Sequence, residues 1–136
     1  MSIAEKYVEL LASEGYRPTV EDKDSSPQIL FKAEGTRFRV LLDEDDHDFF
    51  ALHLVYGVPG GHPFPKLTAL ANELNDRWKV AKVTIHPDGD AVRFMFETFA
   101  PGGVAPELLQ RAIWTLRHGS EEFFEELKSA DPEVKA

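Results

Sequence analysis

At 136 residues, 43% hydrophobic and 29% charged, the chain has the size and balance of one globular domain, long enough to bury a core without metal or disulfide. Its formal charge of −9 argues against nucleic acid and anionic membranes, both of which require a basic face. The absence of cysteine removes disulfides, thiolate zinc sites and cysteine nucleophiles, and fits a reducing, cytoplasmic setting.

Residues 2–14 read as a helix, with Ile3, Tyr7, Leu10 and Leu11 on one face. Ser2 and Glu5 are spaced as a capping box, and Gly15 and Pro18 stop the helix. With Glu5 and Glu9 and no long apolar run, residues 1–11 read as neither signal peptide nor membrane anchor. Residues 21–27 are polar and read as a loop. Strands follow at 28–33, 36–43 and 48–56, separated by the Glu34-Gly35 turn and by a strongly acidic turn. In the third of these strands Phe50, Leu52, Leu54 and Tyr56 line one side, and Phe49, Ala51, His53 and Val55 the other. That second side is too apolar for a sheet face open to water, and something is expected to cover it.

After a Gly/Pro loop, Pro65 suits a first helical turn. Leu67, Leu70, Ala71, Leu74 and Trp78 then repeat at helical spacing. Strands at 80–85 and 91–99 flank the turn His86-Pro-Asp-Gly-Asp90. Val92, Phe94 and Phe96 mark one face of the last strand; Arg93, Met95, Glu97 and Phe99 mark the other. A final helix opens at Pro106, carries Leu109, Ala112, Ile113 and Leu116, and is expected to bend or break at Gly119. The expected fold is α+β, in the order α-β-β-β-α-β-β-α. It has a five-stranded twisted antiparallel sheet with helices on one face. Residues 1–130 form a single domain and 131–136 a frayed tail.

Several landmarks on this path resemble the YbjN family. They are Leu11 with Gly15-Tyr16, the turn at Gly35, and Leu42-Asp-Glu-Asp-Asp46 followed by Phe49-Phe50. Further along come Ala69-Leu-Ala-Asn-Glu-Leu-Asn75 with Lys79-Val-Ala-Lys-Val83, then Phe96-Glu-Thr-Phe99 and the long last helix. The segment from Ala69 to Val83 is the most specific. The Val58-Pro-Gly-Gly-His-Pro-Phe-Pro65 loop departs from the pattern. The resemblance implies a fold like that of type III secretion chaperones, which bind protein chains and commonly dimerise. It also implies a bacterial sensory transduction regulator with no established chemistry and no catalytic residues to transfer.

The residues themselves offer little catalysis. The carboxylates Asp43, Asp45, Asp46 and Asp48 could ligate a divalent cation, but their turn lacks the EF-hand's central glycine and its twelfth-position glutamate. A solvated turn that blocks edge-to-edge aggregation is the favoured reading of them. The five histidines, at 47, 53, 62, 86 and 118, show no paired helical ligand spacing. Ser13, Ser25, Ser26, Ser120 and Ser129 lack a nucleophile-elbow context, and residues 57–61 are not a phosphate loop. Asn72 and Asn75 read as structural, Asn75 ending its helix and Asn72 bonding a nearby loop.

The aromatic surplus points to partners. The candidate partner-binding residues are Phe49, His53, Val55, Phe64, Trp78, Trp114, Phe123 and Phe124, more apolar surface than one small core readily encloses. The expectation is a non-enzymatic protein-binding module without cofactor, with a second copy of the chain among its candidate partners. The alternatives are a small-ligand or cation sensor at residues 43–48 and an unrecognised enzyme.

Overall fold

The computed structural model describes residues 1–23 and 26–129. The expected loop centre at residues 24–25 and the expected tail at 131–136 lie outside the described residues.

Helix α1 spans Ile3–Ser13. The Ser2 hydroxyl accepts the Glu5 N–H at 3.1 Å, while the Glu5 carboxylate accepts the Ser2 N–H at 3.2 Å, so the capping box is complete. At the other end Gly15 adopts φ 91°, and Tyr16 N–H returns to the Leu11 carbonyl at 3.0 Å, a Schellman closure. The strands are β1 (Thr19–Lys23), β2 (Ser26–Ala33), β3 (Thr36–Leu41) and β4 (Phe49–Gly57). Helix α2 (Phe64–Arg77) carries proline in its first turn, as expected. Strands β5 (Ala81–Ile85) and β6 (Ala91–Phe99) precede helix α3 (Pro106–Ser129).

The sheet is antiparallel throughout but has six strands, not five, in the order β1-β2-β3-β4-β6-β5. The element order is therefore α-β-β-β-β-α-β-β-α. The added strand is β1, within a stretch that reads as polar loop. Its sequence, Thr-Val-Glu-Asp-Lys, has almost no apolar alternation, and it is strand because it pairs with β2 from Thr19 opposite Leu30 onward. Pairing with the next strand here overrides local preference.

Strand β4 lies at the centre. Its nine-residue register with β6, from Phe49 opposite Phe99 to Gly57 opposite Ala91, brings together segments separated by a whole helix and a further strand. All three helices pack against one face, where Ile29, Val40, Leu52, Phe96 and Ala81 lie opposite one another from strand to strand. Tyr7 of α1 stacks at 6.1 Å on Phe50, and Phe94 meets Trp78 at 6.3 Å and Phe123 at 5.6 Å. Burial pushes the Tyr7 phenol up to about 12.

Helix α3 is continuous through Gly119, where a bend or break is expected from the sequence. The position is occupied by glycine because Trp78 lies on it: a Cβ there would meet Trp78 Cη2 at 3.2 Å. The Trp78 indole N–H donates to Glu122 Oε1 at 2.9 Å, which fixes the ring over the gap.

Candidate functional site

The face of the sheet opposite the helices has no covering element among the described residues. Strand alternation and register place Leu41, Ala51 and Glu97 in one row across it. Arg39, His53, Met95 and Lys82 form the next row, followed by Val55, Arg93 and Thr84. At one end Phe49 and Phe99 oppose each other with ring centroids 5.7 Å apart. Val55 is 47% and Phe99 68% exposed, while Leu41, Phe49 and Met95 are half-buried. A depression of about 370 Å³ opens among Leu41, Phe49, Ala51 and Glu97. The result is a face with exposed apolar side chains toward its two ends, Val55 at one and Phe99 beside Phe49 at the other, interspersed with Arg39, Glu97, Arg93 and Lys82.

His53 sits at the centre of this face, between Arg39 of β3 and Met95 of β6, and is only 5% exposed. Its Nε2 lies 3.2 Å from Glu97 Oε2. Burial pulls the imidazole below its ordinary range. Glu97 acts in the opposite direction, through its hydrogen bond and its charge, and Arg93 adds to the lowering. His53 is thus held neutral near pH 7 beside a carboxylate, which suits a fixed tautomer with Nε2–H donating to Glu97.

The other candidate partner residues are dispersed. Phe64 opens α2 and lies over the β5–β6 turn, where a Cβ on Gly89 would sit 3.8 Å from its Cδ1. Trp78 and Trp114 line a groove of about 630 Å³ between β5 and α3. Trp114 is 56% exposed, with its ring centroid 4.1 Å from that of His118. Phe123 is wholly enclosed and belongs to the core. Phe124 is half-buried against Tyr56 at 5.6 Å and Phe123 at 5.2 Å, on the helix side of the sheet. The structure therefore joins Phe49, His53 and Val55 in one surface, and Trp78 with Trp114 in another. Met95 and Phe99 complete the first surface. Their alternation marks a second face of the last strand in the sequence, but nothing there shows that β6 abuts β4 and merges the two faces.

The acidic turn is organised by its own backbone. Asp43 Oδ1 accepts the Asp45 N–H at 2.9 Å, and Asp46 Oδ1 accepts the Asp48 N–H at 3.2 Å. Among the described residues the one group whose ligand atoms converge within 4.8 Å lies elsewhere: His86, Asp88 and Asp90, all exposed on the β5–β6 turn. There His86 Nδ1 is 3.5 Å from Asp88 and 3.6 Å from Asp90. That arrangement is an ordinary solvated turn.

Asn75 does not end its helix. From the last turn of α2 its amide reaches β5, donating Nδ2–H to the Val83 carbonyl at 2.9 Å and accepting the Val83 N–H on Oδ1 at 2.7 Å. It occupies backbone groups on the outer edge of the sheet that would otherwise be open to another strand. Asn72 is exposed and makes no side-chain hydrogen bond among the described residues, so it is Asn75 that does the bridging.

Among the described residues no helix is long and apolar enough to cross a membrane. Three comparisons bear on relationship. The YbjN family model, described as "Putative bacterial sensory transduction regulator", matches residues 8–129. No curated protein matches the chain. The crystal structure of an uncharacterized protein from Methanothermobacter thermautotrophicus is similar in fold. It has a TM-score of 0.72 at 11% identity, over 93% of this chain and 97% of that one.

Proposed function

The chain belongs to the YbjN family, and on that premise we propose that it is a non-enzymatic protein-binding module whose partner docks on the helix-free face of the sheet. The observation that carries the reading is the exposure of Phe99 beside half-buried Phe49 at a ready depression, with Val55 exposed further along the same face. Contiguous apolar patches of this kind mark partner sites, and aromatic anchors seated in pockets supply most of the energy at such interfaces. The exposed Arg93 and Lys82 on the same face favour a partner that offers acidic side chains beside apolar ones. The match to a regulator family agrees with a role in binding rather than catalysis. The alternative of a cation sensor at residues 43–48 has less support, because among the described residues the one group of three converging ligand atoms lies on the β5–β6 turn and not there.

Lys82 lies on this face and supplies a reactive amine for chemical cross-linking in host cells. Wild type should give Lys82 cross-links to a partner protein or to a second copy, and the Val55→Glu/Phe99→Glu variant should lose them while keeping its melting temperature. Sedimentation velocity separates the homodimer from a foreign partner. Identical Lys82 cross-links in wild type and variant would refute the reading.

A further inference from the structure

Cations outnumber carboxylates at one corner of this acidic molecule: Arg17, Lys32, Arg37 and Arg39 line one cleft with Glu21 as the one carboxylate among its described lining residues. Lys32 of β2 and Arg37 of β3 stand directly opposite each other on the helix-free face. Like charges in that position weaken a strand pair. Arg39 follows two residues on, on the same face, and Arg17 lies in the link between α1 and β1. Among the described residues Arg17, Lys32 and Arg37 form no ion pair and no side-chain hydrogen bond. Arg39 alone is tethered, at 2.8 Å to Gln28 Oε1 and 4.0 Å from Glu21. The carboxylate nearest in sequence, Glu34 of the β2–β3 turn, is engaged by Arg117 of α3.

These side chains surround a cavity. Strand β1 begins opposite Leu30, so Phe31, Lys32 and Ala33 have no strand neighbour on that side, and a cleft of about 660 Å³ opens there. That is the size of a small-molecule site. Tyr16, Leu30 and Phe31 form its apolar wall, and Tyr16 is fixed by its ring contact with Phe31 at 5.2 Å and its hydroxyl bond to Gln110 at 3.1 Å. An apolar wall beside guanidinium groups lowers the local dielectric and strengthens any charge-assisted bond formed within the cleft.

We propose that this cleft binds a small polyphosphorylated molecule through Arg17, Lys32, Arg37 and Arg39. Two features select phosphate. Guanidinium forks match phosphate oxygens in pairs, and four clustered cations suit a ligand carrying several negative charges in a small volume. Opposed cations in the strand pair then have a reason to persist, since the ligand supplies the counter-charge that Glu21 alone does not. The proposal does not rest on the protein-docking reading, because the cleft lies at the β1–β2–β3 corner and not over β4 and β6.

Titration calorimetry on the full chain tests it, with ATP and inorganic pyrophosphate as probes and a hexaglutamate peptide as the competing chemistry. One-to-one binding of either phosphate probe is expected, falling by at least about tenfold in Lys32→Ala/Arg37→Ala and unchanged in Lys128→Ala, an exposed cation of α3 outside the cleft. The melting temperature of each variant reports that it is folded. No heat from either probe at millimolar concentration overturns the proposal. An equal loss in Lys128→Ala does so too, since it shows diffuse attraction only, as does hexaglutamate binding as tightly as the phosphates.

Discussion

Replacing Asn75 by alanine removes both bonds that tie α2 to the outer edge of β5, the 2.9 Å bond to the Val83 carbonyl and the 2.7 Å bond from its N–H. Each is worth about 1 kcal/mol net, because water replaces part of what is lost. Alanine in a helix returns about 0.6 kcal/mol relative to asparagine. The expected loss is therefore about 1.5 kcal/mol. An unfolding entropy of about 2.1 cal/mol/K per residue over a chain of this length translates that into a melting temperature lower by about 5 °C. Differential scanning calorimetry reads the shift, and amide hydrogen exchange reads the local event, since the Val83 N–H should lose its protection. Asn75→Asp keeps an acceptor for that N–H but turns a carboxylate oxygen toward the Val83 carbonyl, so at pH 7 it should cost at least as much. A melting point for Asn75→Ala within about 1 °C of wild type, with Val83 exchange unchanged, would refute the claim that this side chain closes the sheet edge.

Gly119→Ala should fail to give the gain of about 1 kcal/mol that alanine brings to a helix interior. The new Cβ would press on Trp78 Cη2 at 3.2 Å while Glu122 holds the indole, so calorimetry should show an unchanged or lower melting temperature and the tryptophan emission should shift. A clear rise with unaltered emission would contradict this. His53 has a folded pKa below its ordinary 6.5, so the unfolded chain takes up its proton first and the stabilising effect of the neutral ring is lost as pH falls below that value. The urea midpoint should fall between pH 7 and pH 5 more steeply in wild type than in His53→Gln; parallel curves would refute it. Lys32→Glu places opposite charges across the β2–β3 pair at Arg37 and should stabilise the protein by about 0.5 kcal/mol, read as a higher urea midpoint. Destabilisation would show that Lys32 and Arg37 do not repel each other in the folded sheet.

Much of this molecule is legible along the chain. The capping box at Ser2 and Glu5, the glycine closure at Gly15, the α2 stripe from Leu67 to Leu74 and the limits of β6 are all local signals. Each depends on residues within a turn or two of one another. The excess apolar character of Phe49, Ala51 and Val55 is also visible, because alternation alone sorts a strand into two faces.

What the sequence withholds is everything decided between distant segments. Strand β1 is the local exception: it exists because its immediate neighbour β2 accepts it, in spite of its own polar composition. Gly119 reads as a helix breaker until Trp78, from another element, is found lying on it. Phe123 and Trp114 are both aromatic residues of α3, yet one is wholly buried and the other exposed, because the sheet meets only one side of the helix. The open face becomes a surface only when β6 pairs with β4 and places Phe99 beside Phe49. The cationic cleft likewise appears only when Lys32, Arg37 and the α1–β1 link converge. Periodicity fixes which side of an element is apolar. The partner that side receives depends on the long-range registers, which no short stretch of chain encodes.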